Sequence, residues 1–253
     1  TGNQRYKDSV FSCYNQVNEQ IFMEYLEFEQ ILSAKRIQRY KDAANGDTRK
    51  AMALYRYNLR LSQEMFTIVS CFEVALRNAI DSLLVPSLGE DWLKDSVQDN
   101  GIFSNGRMNE TRKIIEKAYN RLNRQGNYSH SKLIAEMEFG VWKYMYSSLQ
   151  YRATGQCLLR AFPNKPRSSA AVQYNNTYIF NELDKVNSLR NRIAHHEPIC
   201  FRLHEAEIDT SYIINEYQKI QTLFSWMGID SHSMLYGLDH VQSVCAKINS
   251  LKV

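Results

Sequence analysis

The sequence predicts an all-α protein, and three observations carry that expectation. Apolar residues recur at helical spacing along most of the chain, and no segment clearly alternates at a period of two. Breakers are scarce: 10 Gly and 4 Pro in 253 residues are too few for a many-turned sandwich or barrel. At this length the chain buries a core without disulfides or metals, and 44% apolar against 23% charged residues excludes wholesale disorder.

Taken in order, a first apolar stripe runs Val10, Tyr14, Val17, Ile21, Tyr25, Phe28. Ser33 suits the N-cap of a short helix that Asn45-Gly46 ends, and Asp47 or Thr48 starts the next. That next helix holds the clearest stripe: Leu61, Met65, Val69, Phe72, Leu76, Ile80 and Leu83, stepping by 4, 4, 3, 4, 4, 3 and stopping before Pro86. A loop rich in Gly, Asp and Asn covers roughly residues 87–106, and helical patterns resume at about 109–124 and 132–150. Pro163, Pro166 and two serines mark 161–169 as a linker. Val172, Ile179, Leu183, Val186, Leu189 and Ile193 then share one face of an element that Pro198 ends. Two last helices fit 205–227, closed by Gly228, and 231–251, capped by Asp230 or Ser231. The linker divides an N-terminal helical region, 1–160, from a C-terminal one, 170–253, unless both share one core.

A net charge of +4 and a pI near 8.7 are compatible with nucleic acid without requiring it. The longest apolar run, Phe66 to Phe72, stops at Glu73, short of the ~20 residues a membrane span needs. The first residues, Thr1-Gly2-Asn3-Gln4-Arg5, have no apolar signal-peptide core. Cys13, Cys71, Cys157, Cys200 and Cys245 are scattered and odd in number, which reads as buried thiols. A cytoplasmic protein without a membrane partner is expected.

The chemistry concentrates in Ser188-Leu189-Arg190-Asn191-Arg192-Ile193-Ala194-His195-His196-Glu197-Pro198, at the end of a predicted helix. Arginine holds phosphate through a planar fork of donors, and histidine both takes and gives a proton near neutral pH. Together they supply a base, an acid and a phosphate clamp, as RNA cleavage by the neighbouring 2′-hydroxyl requires. The same residues also suit a helix C-terminus, where cations favour the last carbonyls. Spacing alone decides nothing, because chance gives about one Arg-x4–6-His match in such a composition, and Arg124 with His130 is a second instance. On a straight helix Arg190 and His195 lie about 140° apart, whereas Asn191 with His195, and Arg192 with His196, share a face.

The block RNRIAHHEP resembles the signature of the Abi-like abortive-infection proteins, a bacterial phage-defence family within the HEPN superfamily. Collinear segments add to the likeness: Leu32-Ser33 with Arg36 and Tyr40; Ala53-Leu54-Tyr55 through Asn58 to Leu61-Ser62; Phe72 through Ile80; Asp91-Trp92-Leu93; Glu136 through Trp142; and Ala161-Phe162-Pro163. They span about residues 30 to 200. The resemblance implies a HEPN-type helical bundle with additional helices and an Arg-x4–6-His ribonuclease site, usually completed by dimerisation. Position by position the arginine is Arg190, the polar residue Asn191 and the histidine His195. His196 satisfies the spacing too; His195 is preferred because it leaves Asn191 one turn away to orient the ring.

Glu73 and Arg77 stand i,i+4 on the most apolar helix, in the orientation that best supports an ion pair. They are either a structural pair or a support that borders the site and orients Arg190. Lys113, Lys117, Arg121 and Arg124 step along one helix near Tyr119 and Tyr128, either as a solvated face or as an RNA-tracking stripe, to which Arg192 could add. Lys35, Arg36, Arg39, Lys41, Arg49 and Lys50 form a weaker basic cluster, and Trp92, Trp142 and Trp226 read as core anchors. No Gly-rich phosphate loop, nucleophile elbow, dinucleotide fingerprint or carboxylate metal cluster is present, so no cofactor or metal is expected. The expectation is a metal-independent endoribonuclease toxin of phage defence, homodimeric, with RNA as partner and room for an antitoxin that silences it. A non-catalytic RNA-binding protein holding a small regulatory RNA, or a helical protein-interaction subunit, is the alternative.

Overall fold

A computed structural model describes residues 23–252. The helices are α1 (Tyr25–Leu32), α2 (Ala34–Ala43), α3 (Thr48–Leu88), α4 (Trp92–Asp95), α5 (Asn109–Arg124) and α6 (His130–Glu136). They continue as α7 (Phe139–Tyr144), α8 (Ser148–Ala153), α9 (Asn176–Ala194), α10 (Ser211–Trp226), α11 (Ser231–Met234) and α12 (Val241–Asn249). Among the described residues there is no strand, only an isolated bridge between Phe201 and Ile208, so the fold is all-α. No helix among them is long and apolar enough to cross a membrane.

The 41-residue α3, about 60 Å long at 1.5 Å per residue, organises the rest. The Asp47 carboxylate caps it by accepting from the Lys50 N–H at 3.0 Å. Its buried stripe runs from Ala51 through Leu61, Met65, Val69, Phe72, Leu76 and Ile80 to Leu84; Leu84, not Leu83, takes the last place. The helix continues two residues past Pro86, because a proline in the last turn removes one donor and keeps a helical φ. Helices α2, α9, α10 and α12 cover this stripe, so residues on both sides of the 161–169 segment enter one core. Phe72 stands edge-on to Phe224 of α10 with centroids 5.2 Å apart, and Asn164 ties the segment itself to the Trp226 carbonyl at 2.9 Å.

Three expected helices change form. Residues 132–150 are split among α6, α7 and α8, because extended Met137 and Glu138 turn the chain so that Leu133, Ile134, Phe139 and Trp142 all reach the core. The helix expected from 205 starts at Ser211, after a turn in which Arg202 N–H donates to the Glu207 carbonyl and Asp209 N–H to that of Cys200. The final helix breaks at Gly237, φ +74°, and α12 restarts where the buried Glu64 carboxylate of α3 accepts from the His240 N–H. The stripe expected from Val10 lies outside the described residues as far as Ile21, and so does Cys13; Phe28 of α1 is buried. Cys200 and Cys245 are buried thiols that desolvation pushes up to about 12 and about 11, while Cys71 and Cys157 are half-buried. Trp92 and Trp142 are buried, whereas Trp226 is half-buried against Tyr174 and Tyr178.

Asp81 of α3 holds α4 and α6 together: its Oδ1 accepts from Trp92 Nε1 at 2.7 Å and lies 2.8 Å from His130 Nε2. His130 therefore belongs to the scaffold, although it meets the Arg-x4–6-His spacing. Asp81→Ala strands two ring nitrogens, and an unsatisfied polar group in a core costs about 1–3 kcal/mol. The expected outcome is a loss of that size in chemical denaturation; an unchanged midpoint would show the carboxylate to be dispensable.

Candidate active site

The site is built where α9 ends. Asn175 caps the helix start, and Ile179, Leu183, Val186, Leu189 and Ile193 bury one face. At the other end His196 N–H donates to the Ile193 carbonyl and Glu197 N–H to the Arg192 carbonyl, the double bond of a Schellman motif. His196 occupies the left-handed position, φ +56°, that glycine usually fills. The chain therefore leaves the helix at His195, before Pro198.

Four polar side chains pin this exit. Asn58, buried in the apolar face of α3, accepts from the Ile199 N–H at 2.9 Å. Arg36 of α2 donates to the His196 carbonyl at 2.7 Å. Arg39 donates to the carbonyls of Arg202 and Glu205 and lies over the Phe201 ring, 4.7 Å from its centroid. Arg192 reaches Glu197 and the Pro198 carbonyl, and stacks on Tyr212. Arg36 and Arg39, expected as part of a basic cluster, thus serve backbone carbonyls, and Arg192 is engaged at the helix end.

The exit presents its chemistry outward. The His195 and His196 imidazoles and the Asn191 amide are exposed and have no hydrogen-bond partner among the described residues. Asn191 accordingly does not orient the His195 ring here. Arg190 is half-buried and also unpaired among the described residues. It lies within electrostatic reach of Glu73 of α3, as does Arg77 one turn along that helix. Burial pushes the Glu73 carboxyl up; Arg190, then Arg77, pull it back, Glu138 adds to the rise, and burial prevails. The expected Glu73–Arg77 ion pair does not close, and Arg77 Nε is buried without a partner among the described residues. The Glu73 carboxyl and the Arg77 and Arg190 guanidiniums, on α3 and α9, thus lie within electrostatic reach of one another.

The basic stripe lies on α5, with Thr111, Ile115, Ala118 and Leu122 buried and Ile114 exposed. Lys113 pairs with Glu110 and Arg121 with Glu136, Arg124 donates to its own Asn120 carbonyl, and Lys117 has no partner among the described residues. Tyr119 and Tyr128 pack edge-to-face, and Tyr128 donates to Asp91, so neither is free to stack on a base.

A family model described as Abi-like protein matches residues 17–200, well over half of the chain. The chain belongs to the Abi-like protein family. No curated protein and no solved structure matches it. In this Abi-like protein the matched span holds α1 to α9, the Arg190–His196 block and both partners of the Asn58–Ile199 bond, while α10 to α12 lie beyond it.

Sequence reasoning missed what Asn58 does, although the signal was there: an amide between Leu54 and Leu61 in an otherwise apolar stripe. Asn58→Ala leaves a buried N–H unsatisfied, so a loss of about 1–3 kcal/mol is expected in denaturant unfolding. A second expectation follows from Glu73. A carboxyl whose folded pKa is raised stabilises the fold at low pH and loses that contribution as pH rises through the folded value. Glu73→Gln should thus match wild type at pH values below the ordinary carboxylate range and have the higher Tm above it, the difference levelling off once the folded carboxyl is ionised. A Tm difference that does not vary with pH would contradict it.

Proposed function

We propose that this Abi-like protein is a metal-independent endoribonuclease of the HEPN type, acting in the cytoplasm in abortive-infection defence against phage. The observation that carries the reading is that Arg190 lies within electrostatic reach of Glu73, as Arg77 does, beside a helix exit that bears two imidazoles without partners among the described residues. One imidazole takes the 2′-hydroxyl proton as the oxygen attacks the adjacent phosphorus. Arg190 stabilises the charge that builds on the phosphorane, and a protonated imidazole gives its proton to the departing 5′-oxygen. The products are a 2′,3′-cyclic phosphate and a 5′-hydroxyl.

A homodimer fits this chemistry, since two-fold symmetry places the same arginine and histidines twice around one cleft. On α3, Leu59, Phe66 and Val74 are exposed, and at 100° per residue they fall on the side that carries Glu73 and Arg77. A second copy laid over that apolar face would border the site.

His195→Ala should lower cleavage of a labelled structured RNA by ~10²–10⁴-fold. His196→Gly removes the other ring while keeping a backbone that suits the left-handed position, so its stability should stay within about 1 kcal/mol of wild type. An active His195→Ala with an inactive His196→Gly would reassign the catalytic ring. Activity should survive EDTA and show a bell-shaped pH profile, because two imidazoles must be in opposite protonation states. Loss of activity in chelator, restored by Mg²⁺ or Mn²⁺, would overturn the mechanism; RNA retained without cleavage would indicate a binding protein instead.

A further inference from the structure

Between α5 and the α6–α7 turn lies a groove of about 460 Å³, within the range of ~300–1,000 Å³ typical of small-ligand sites. Its lining is of two kinds. Ile114 and Tyr144 expose 48% and 47% of their surface, and Val141 and Met137 add to the apolar part. Lys117, Arg121 and Arg124 share with Ile114 the α5 face that lines the groove; Arg121 pairs with Glu136, which lines it too, and neither Lys117 nor Arg124 has a carboxylate partner among the described residues. Gly140 also lines it, and an added Cβ there would meet no atom within 4 Å. The groove also touches the site already described, because Glu138 lines it and acts electrostatically on Glu73, the neighbour of Arg190.

We propose that this groove is a nucleotide subsite that seats an unpaired base of the RNA strand whose phosphate lies at Arg190. The inference rests on the ribonuclease reading above. The Tyr144 ring offers a π-face at an apolar wall, as a stacked base requires. Lys117 and Arg124 on the α5 face meet the phosphates on either side of that base. The ring packs against Phe180, centroids 5.7 Å apart, and under the Lys143 ammonium, which is buried and tied to Asp184 of α9 at 2.7 Å. The same ion pair fixes α7 against the helix that carries Arg190, so groove and site keep their spacing. A single strand suits this place better than a duplex, whose bases are already stacked on one another.

The test is fluorescence anisotropy of a labelled single-stranded RNA oligonucleotide with the full chain, all variants carrying His195→Ala to prevent turnover. Tyr144→Ala should weaken Kd roughly 5- to 150-fold, the range of a missing aromatic–base stack. Gly140→Leu fills the groove at a helical position where leucine is the better helix former, so it should weaken binding while Tm holds or rises. Lys117→Ala with Arg124→Ala should flatten the log–log salt dependence by roughly 0.7 for each phosphate no longer neutralised. Unchanged Kd in Gly140→Leu and Tyr144→Ala, with both proteins folded, would overturn the subsite. So would tight binding of duplex RNA that is equally sensitive to these changes. Failure of the ribonuclease reading shows separately, as a His195-intact protein that leaves RNA uncut.

Discussion

One constraint shapes the molecule: a single helix of 41 residues has to bury its apolar face along its whole length. No single neighbour is long enough to do so, and α2, α9, α10 and α12 each take a share. The chain must therefore return to α3 repeatedly, from both sides of the proline-rich segment. That return brings Arg190, distant in sequence, to the Glu73–Arg77 turn of the same helix. The site follows from the packing of the scaffold, since neither α3 nor α9 carries the arrangement alone.

The exit from α9 shows how such a site is kept in place by groups that do no chemistry. A left-handed histidine sets the direction of the chain, and Asn58, Arg36 and Arg39 hold it through hydrogen bonds to backbone atoms, with Arg39 also lying over the Phe201 ring. Backbone recognition leaves the exposed side chains free. Arg192 complements this from within the helix by spending its guanidinium on Glu197 and Pro198. The two arginines of the block, two residues apart in sequence, thus have different environments, one closed by partners and one open.

Much of this was legible in the sequence, and the exceptions have physical causes. The α3 stripe, the caps at Ser33 and Asp47, and the bounds of α5 follow from local rules that tertiary contacts reinforce. The splitting of 132–150 was not legible, because a segment buried on several sides carries no single periodic face. The early end of α9 was hidden because histidine stands where glycine would announce a C-cap. The Glu73–Arg77 spacing promised an ion pair, but a third charge from α9 shares the carboxyl, and helix geometry alone cannot reveal a competitor on another element. The block Arg190–His196 stood out through its residue types and then through resemblance; its surroundings needed the fold.

The charges that act on Glu73 have one more consequence. When an anion settles beside Arg77 and Arg190, it adds to the cost of the charge on Glu73, which burial already disfavours. The arrival of the anion and the arrival of a proton then favour each other, and by reciprocity each tightens the hold of the other. An anion bound there would therefore be held more tightly with Glu73 protonated than with it ionised.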